Sequence, residues 1–269
     1  MKYFGLALSV MLCMLCGCSK VELAGITDVV YVDIPMSYTK VEVSSIIEVR
    51  FSEDCTSPQL EADVNIMPYI KIYEKKGTLM VELAKGLKLD DSGWAAFKAV
   101  VTLPPKRDIE SVALSGAALL VSDVPFGNDR FCLTASGASS FTGAVEADEF
   151  DLNLSGASLA ECGFLKCGNM RFTASGASLA KLSGSVSSCD MSLSGASALG
   201  DIQVGTPYSL EIDRCTGVLS GASLATFRSD GEIRCTLSGG SSIYYSGDAD
   251  VSGSVSDSVS SIVQETGKR

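Results

Sequence analysis

The stretch Phe172-Thr173-Ala174-Ser175-Gly176-Ala177-Ser178-Leu179 contains the tetrapeptide Ser-Gly-Ala-Ser, which decides the fold. The tetrapeptide recurs along the C-terminal half of the 269-residue chain, at Ser136–Ser139, Ser155–Ser158, Ser175–Ser178, Ser194–Ser197 and Ser220–Ser223. Looser copies begin at Ser115, Ser238 and Ser256, so the eight start positions are separated by 21, 19, 20, 19, 26, 18 and 18 residues. A period this short predicts one small structural unit that stacks on copies of itself.

Upstream of each tetrapeptide, apolar and polar residues alternate. In the third full copy, Met170, Phe172 and Ala174 alternate with Arg171 and Thr173. A period of two is typical of a strand with one buried face. Each copy is therefore predicted to be one strand that runs into one Ser-Gly-Ala-Ser corner.

The predicted fold class is all-β, a right-handed parallel β-helix with coils of about 20 residues and Ser-Gly-Ala-Ser corners. Strands of successive coils would pair at a spacing of about 4.8 Å. The corner glycine is expected in a conformation that a Cβ would penalise, and small alanine and serine side chains let successive corners stack closely. Right-handed winding is the default for parallel crossover connections.

The chain divides into five predicted segments. These are a signal peptide at 1–17, a lipidated tether at 18–24, an N-terminal β region at 25–105, β-helix repeats at 106–263 and a polar tail at 264–269. Within the N-terminal region, Ile70–Tyr73 and Thr78–Leu83 flank a glycine-bearing turn and predict a hairpin. Asp90–Gly93 indicates a turn or exposed loop, and Ala99–Leu103 a strand that ends at a proline pair.

The first residues have the pattern of an export signal. Lys2 precedes an apolar run from Tyr3 to Cys16, which is too short to span a bilayer as an anchor. Leu15-Cys16-Gly17-Cys18 resembles the lipobox of bacterial lipoproteins, in which the final cysteine is acylated and becomes the new N-terminus. We therefore expect lipidation at Cys18, a membrane partner through that anchor, and an outer-membrane lipoprotein on either the periplasmic face or the cell surface. Ordinary secretion with Cys18 unmodified is the alternative.

Composition excludes several classes of function. Loss of residues 1–17 removes Lys2, leaving 20 basic against 32 acidic residues, a net charge of −12. An acidic chain without a basic cluster argues against nucleic acid and anionic lipid as partners. The chain contains no histidine, which removes histidine bases, histidine triads and histidine metal sites.

Seven cysteines follow Cys18, an odd number that leaves at least one thiol unpaired within the chain. Buried cysteines usually act as small apolar core residues, and that is the expected role of most of them. Cys162 and Cys167 form the closest pair in sequence and would close a small loop in an oxidising compartment.

The second serine of each tetrapeptide is the candidate binding residue. These serines would form a column of hydroxyls along one edge of the rod, able to bind a repetitive polymer such as a glycan: Ser139, Ser158, Ser178, Ser197 and Ser223. The alternative is structural, because serine hydroxyls also satisfy the backbone of turns.

The densest acidic stretch contains Glu146, Asp148, Glu149 and Asp151. Paired carboxylates can support glycoside hydrolysis, although a solvated acidic edge explains the same residues. Glu149 and Asp151 flank Phe150 and are expected to point outward. Calcium-binding β-helices carry Gly-Gly-x-Gly-x-Asp repeats. Calcium is not expected here, since Gly239-Gly240 is followed by two serines and no aspartate occupies the position of that repeat. No catalytic residue, metal ligand or cofactor is predicted.

Several stretches in their order along the chain resemble the family called putative auto-transporter adhesin, head GIN domain. They are Gly25–Val32, Tyr69–Ile72 with Gly77–Leu79, Val101–Pro104, Ile109–Ala117 and the later Ser-Gly-Ala-Ser corners. The resemblance covers roughly Gly25 to Gly240. It implies a right-handed parallel β-helix in the bacterial cell envelope, and it supplies no catalytic residues.

Two functions of different kinds follow. The first is a lipid-anchored, non-enzymatic envelope protein with a structural or adhesin-like role, which binds a glycan or a protein on a flat flank. The alternative is a polysaccharide-active enzyme that uses surface carboxylates. A purely structural or sensory envelope component without a ligand is also consistent with the sequence.

Overall fold

The computed structural model describes residues 20–89, 91–200 and 208–265. The predicted signal peptide, the predicted lipidation site at Cys18 and residues 201–207, which belong to the 26-residue interval between two corners, lie outside the described residues. The elements are β1 (Thr27–Tyr31), β2 (Lys40–Val43), β3 (Glu48–Phe51), β4 (Gln59–Asp63), a 3₁₀ turn (Met67–Tyr69), β5 (Ile70–Lys75), β6 (Thr78–Leu83), α1 (Asp91–Ala96), β7 (Ala99–Leu103), β8 (Ser111–Leu114), β9 (Leu119–Ser122), β10 (Arg130–Ala135), β11 (Ser140–Leu154), β12 (Leu159–Ala174), β13 (Leu179–Leu193), β14 (Ala198–Leu199), β15 (Leu210–Leu219), β16 (Leu224–Arg228), β17 (Glu232–Leu237), β18 (Ser242–Ser246), β19 (Asp250–Val251), β20 (Ser254–Val255) and β21 (Ser261–Gln264).

The predicted all-β class is confirmed, and the repeats stack in parallel. Between β12 and β13 the pairing falls into three runs, which begin at Leu159, Leu165 and Asn169. We call these runs the first, second and third ladders, counted from each Ser-Gly-Ala-Ser corner. The same three runs join β11 to β12. Each coil therefore presents three ladders, and alternate side chains of each ladder point inward.

The parallel stack extends across the predicted boundary at residue 105. Strand β2 pairs in parallel with both β6 and β8, and β3 pairs in parallel with both β7 and β9. An additional corner, absent from the sequence pattern, lies at Ser45, whose φ is 76°. Ala117 N donates to Ser45 O at 2.7 Å, so this serine occupies the place of a corner glycine.

Antiparallel strands close the N-terminal end. Strand β4 pairs with β7, and β1 pairs with β4, both antiparallel. The predicted hairpin is confirmed as β5 and β6, whose antiparallel pairing runs from Ile70 opposite Leu83 to Lys75 opposite Thr78. The expectation of a turn or loop at Asp90–Gly93 is wrong in part, because α1 begins at Asp91. This segment contains no β-branched residue and ends in two alanines, which favour helix.

The polar tail begins later than predicted. Gln264 belongs to β21, which pairs with β18, and Glu265 N donates to Tyr245 O at 2.7 Å. The Tyr208 hydroxyl donates to the Glu265 carboxylate at 2.6 Å. The assignment of 264–269 to a free tail is therefore wrong for its first two residues, because β18 supplies an edge with which they can pair.

Stacked phenylalanines fill part of the interior. Phe126, Phe131, Phe141 and Phe150 contact one another with ring centroids 5.6 to 6.4 Å apart. Together with the inward aliphatic residues they form one continuous core along the rod. Such aromatic pairs stabilise a core beyond the contribution of their buried area.

The cysteines are free thiols, and six of the seven within the described residues are buried. The candidate pair Cys162 and Cys167 is not joined by a disulfide, and both residues are buried free thiols, as expected for apolar core cysteines. Instead the Sγ atoms of Cys215 and Cys235 lie 3.7 Å apart, because coil stacking joins residues about one repeat apart. Burial raises the pKa of the Cys162 thiol to about 12 and that of Cys167 to about 11.

Candidate functional site

The corners form a column of glycines along the rod. Gly137, Gly156, Gly176 and Gly195 have φ between 72° and 78°, in the left-handed region that favours glycine. The alanine after each glycine donates its N–H to the glycine carbonyl of the preceding coil at 2.7 Å. The column ends at Asp257, whose carboxylate accepts the Gly239 N–H at 2.6 Å. Each corner is thus fixed by the backbone of its neighbour.

The predicted serine column points into the rod rather than out of it. The five hydroxyl side chains are buried, with 0 to 2% of each residue exposed: Ser139, Ser158, Ser178, Ser197 and Ser223. Ser139 Oγ donates to Ser136 O at 2.8 Å, and Ser197 Oγ donates to Ser194 O at 2.9 Å. The expectation of an exposed hydroxyl ladder is therefore wrong. Buried hydroxyls are nearly always hydrogen-bonded, and here the corner carbonyls supply the acceptors.

Two of the four acidic residues are engaged in ion pairs on the third ladder. Glu149 and Asp151 point outward on either side of buried Phe150, as predicted. Arg130, one coil before, contacts Asp151 at 2.5 Å and Glu149 at 4.0 Å. Arg171, one coil after, contacts Asp151 at 3.6 Å. Cross-strand pairs of opposite charge stabilise adjacent strands. On this flank the carboxylate charges are therefore balanced by arginines of the neighbouring coils.

The other two acidic residues line a groove on the second ladder. Glu146 and Asp148 are exposed, and they lie on the opposite side of a corner from Glu149. The groove has a volume of about 550 Å³, and its polar lining comprises Arg107, Asn128, Asp129, Glu146, Asp148, Lys166, Ser185 and Ser187. Lys166 Nζ lies 3.4 Å from Glu146 Oε1. We call this depression and its continuation, described next, the polar groove.

The polar groove continues along the rod. A second depression of about 380 Å³ shares Lys166 and Ser185 with the first and extends to Glu211 and Arg228. Parallel pairing explains this continuity, since Glu146, Lys166, Ser185 and Glu211 occupy matched positions of successive strands. The polar groove therefore crosses several coils instead of enclosing a single compact ligand.

One aromatic side chain lies exposed beside the polar groove. Phe164 is 52% exposed and lines the second depression. Tyr208 and Tyr245 are less suitable for stacking on a sugar, because they are only 9% and 7% exposed. An exposed ring beside amide, hydroxyl and charged groups is an arrangement that can contact both the apolar face and the hydroxyls of a sugar.

A loop between β9 and β10 forms one wall of the polar groove. Gly127 in this loop has a φ of 115°, and a Cβ there would lie 2.5 Å from Glu146 O. The glycine thus lets the loop approach the next coil and places Asn128 and Asp129 at the rim. Sequence analysis did not single out these residues. The cluster Pro125, Gly127, Asn128 was the available signal, since such residues mark a loop.

No group of three or more cysteine, aspartate or glutamate side chains in the described part of the chain is arranged to hold a metal ion. The same residues contain no helix long and apolar enough to cross a bilayer.

The architecture and its corner repeats match a known family over most of the chain. The family model described as "Putative auto-transporter adhesin, head GIN domain" matches residues 37–249. The chain belongs to this family. The match spans the hidden corner at Ser45 and the polar groove, so both lie within the GIN domain. No curated protein matches the chain.

Several solved structures have a similar fold. A putative adhesin from Parabacteroides merdae is 20% identical, with a TM-score of 0.74 over 90% of this chain and 96% of that one. A putative adhesin from Parabacteroides distasonis is 19% identical, with a TM-score of 0.73 over 90% and 96% of the two chains. A protein from the same species, titled a putative lipid binding protein, is 13% identical, with a TM-score of 0.74 over 92% and 100%. At sequence identities of 20% or less, the similarity shows only that the fold is shared.

Proposed function

We propose that this chain is a lipid-anchored, non-enzymatic adhesin-like protein of the cell envelope that binds a glycan in the polar groove. The observation that carries the proposal is the groove itself, which combines exposed Phe164 with the amide of Asn128 and the charge of Lys166 over several coils. Extended polymers suit such an open surface because successive sugars can contact successive coils. Family membership and the adhesin names of the structural relatives are consistent with this role.

The right-handed winding of the coils is part of the same proposal. Parallel ladders between coils, joined at the glycine corners, support a right-handed β-helix, because nearly all parallel crossover connections are right-handed. A rigid rod of this kind holds the groove residues at a fixed spacing. Binding then requires little ordering of the protein, which favours affinity.

The non-enzymatic role rests on the arrangement of the carboxylates. Asp151 is shared by Arg130 and Arg171, which leaves it engaged in holding three coils together. Incubation of a bound glycan with the protein, followed by analysis of chain length, checks this part. Release of shorter products would contradict it and favour the polysaccharide-active alternative.

A glycan array with the chain from Ser19 onward tests the binding role. We expect binding to an extended glycan that falls about tenfold in the double variant Phe164→Ala/Lys166→Ala, a loss of about 1.4 kcal/mol. The matched control is Val218→Ala/Lys181→Ala, since Val218 is also 52% exposed and Lys181 is exposed on the first ladder. Absence of binding above background would overturn the proposal, as would equal losses in the two variants.

Lipid anchoring and location are tested separately. Mass spectrometry of the mature protein is expected to show acylation at Cys18, and Cys18→Ala is expected to release the chain from membranes. Protease added to intact cells then distinguishes the cell surface from the periplasmic face. A membrane-associated Cys18→Ala protein of unchanged mass would refute the anchor.

A further inference from the structure

The N-terminal part of the rod carries more than half of the exposed large apolar side chains of the described residues, and most of the others lie at the C-terminal end. Within the described residues, fourteen large hydrophobic side chains are exposed, and eight of these lie between residues 26 and 94. They are Ile26, Val29, Val30, Tyr31, Met36, Ile46, Tyr73 and Trp94. The core of this end is formed by other residues, such as Val41, Val43 and Val49, so these exposed side chains do not contribute to it. Clustered apolar surface of this kind marks a site of contact with another phase or molecule.

Strand β1 is one of two edge strands at this end, the other being β5. It pairs only with β4 among the strands described, and all five of its residues are exposed. Val29 is 51% exposed and Tyr31 is 77% exposed. Soluble proteins usually protect such an edge with charge, proline or a covering segment. Here the edge carries three apolar residues and only one charge, Asp28.

An apolar groove lies between the corner at Ser45 and the loop that follows β6. It has a volume of about 590 Å³ and is lined by Ile46, Leu83, Leu87 and Trp94, with Lys85 at its side. The loop that forms it also holds the start of the described chain, because Val21 N donates to Lys88 O at 2.8 Å. The tether therefore leaves the rod directly next to the apolar groove.

The tether is very short. Cys18 precedes Lys20 by two residues, and an extended chain spans at most about 3.6 Å per residue. An acylated Cys18 would thus hold the bilayer surface within about 10 Å of Lys20 and of the loop that Val21 contacts. A lipid surface is the occupant that the position of the chain end requires.

We propose that the N-terminal end of the rod is a membrane-docking surface, in which Trp94, Leu87 and strand β1 enter the interfacial region of the bilayer that holds the acyl chains of Cys18. This inference rests on the proposed lipid anchor and adds an orientation to it. Tryptophan and tyrosine favour the membrane interface, where one part of the ring is apolar and the other polar. Exposed Lys85 and Lys88 can extend their charged ends toward the headgroups. The rod would then project its polar groove away from the membrane.

The single tryptophan of the chain makes the proposal directly measurable. The mature protein, acylated at Cys18, is reconstituted in phosphatidylcholine vesicles, with and without brominated acyl chains. We expect the Trp94 emission to shift to shorter wavelength, to be quenched at least twofold by brominated lipid, and to resist quenching by aqueous iodide. If iodide quenches the Trp94 emission and brominated lipid does not, in a protein that is acylated and bound to vesicles, the docking proposal is overturned. The lipid anchor would still be supported by that result.

Matched variants separate docking from general hydrophobicity. Val29→Ser/Val30→Ser removes two valines that are 51% and 38% exposed on β1. Val218→Ser/Val255→Ser removes two that are 52% and 43% exposed elsewhere. We expect only the first variant to lose at least half of the quenching by brominated lipid. Equal quenching in both variants would contradict the assigned surface.

Two further outcomes are distinguishable. A wild-type protein that carries no acyl group by mass would overturn the anchor and the docking proposal together. An emission shift that appears without lipid and grows with protein concentration would identify a second copy of the chain as the occupant of the surface, and would overturn docking to the bilayer.

Discussion

The carbonyl oxygen of Gly156 accepts the N–H of Ala177 at 2.7 Å and lies 2.5 Å from the point where a Cβ on Gly176 would stand. The same contact that joins two coils therefore excludes any side chain at the corner. This relationship recurs from coil to coil, with Cβ-to-carbonyl distances of 2.4 to 2.6 Å at Gly137, Gly156 and Gly195. It explains why glycine is repeated in the sequence with the period of the coil.

Replacement of Gly176 by alanine is expected to destabilise the rod by at least about 2 kcal/mol. Positive φ alone costs about 1–3 kcal/mol for a residue with a side chain, and the new Cβ also meets a backbone atom that cannot move freely. Gly163→Ala is the matched control, because no atom lies within 4 Å of its Cβ position and its φ is not in the left-handed region. Thermal unfolding followed by circular dichroism checks both. Similar midpoints for the two variants would refute the role of the corner.

Replacement of Ser178 by alanine is expected to cost about 1 kcal/mol of stability and to leave glycan binding unchanged. Ser178 Oγ donates to Ser175 O at 3.0 Å, and the residue is 1% exposed. Exposed Ser192 in β13 serves as control, and its alanine variant should have wild-type stability. Chemical denaturation and the glycan array measure the two properties. A binding loss without a stability loss in Ser178→Ala would restore the serine column as a ligand site.

Cys132 is expected to be the one rapidly reactive thiol of the chain from Ser19 onward. It is half-buried, whereas the other six cysteines in the described residues are buried. Titration of the native protein with a maleimide should label one equivalent, and peptide mapping should place it at Cys132. Cys132→Ser should abolish this fast labelling, and denaturant should expose the rest. Rapid native labelling of Cys162, whose thiol pKa burial raises to about 12, would contradict the packing.

Asp63 ties the tether to the N-terminal end of the rod. Its carboxylate accepts the N–H groups of Ala24 at 3.1 Å, Gly25 at 2.8 Å and Asn65 at 2.9 Å. Burial opposes its ionisation, but these hydrogen bonds outweigh burial and lower the pKa of Asp63 below its usual value.

A lowered pKa in the folded state means that the ionised form stabilises the fold. This contribution is complete above the ordinary aspartate pKa of about 3.9 and is lost as the pH falls through the lower folded value. We expect Asp63→Asn to lower the hydrogen-exchange protection factors of the Ala24 and Gly25 amides at neutral pH, with little further change on acidification. In the wild type, acidification should lower the protection factors of the same amides, each measured rate being divided into the intrinsic rate of an unstructured amide at that pH. Asp28→Asn is the control, since Asp28 accepts only from the adjacent Val29 N–H among the hydrogen bonds described.

Local pattern was sufficient for the repeating part of the fold. Alternation around Phe172 defined which side chains are buried, and the Ser-Gly-Ala-Ser period defined where each coil turns. Both properties depend on residues that are neighbours in sequence and on one repeated backbone contact. They can therefore be predicted from a single sequence. The hairpin of β5 and β6 was predictable for the same reason, since its turn and both strands are adjacent in sequence.

Only the tertiary structure decided which features face a partner. Gly176 is exposed, whereas the side chain of Ser178, two residues later, points into the core. No local sequence pattern shows whether this serine faces the core or the solvent. Asn128, Glu146 and Lys166 become neighbours because successive coils stack in parallel, which brings together residues about 20 positions apart. The sequence by itself determined a stacked β rod with glycine corners, through short-range sterics and periodicity. The polar groove, the corner at Ser45 and the apolar end beside the tether depend on long-range packing, and the tertiary structure alone placed them.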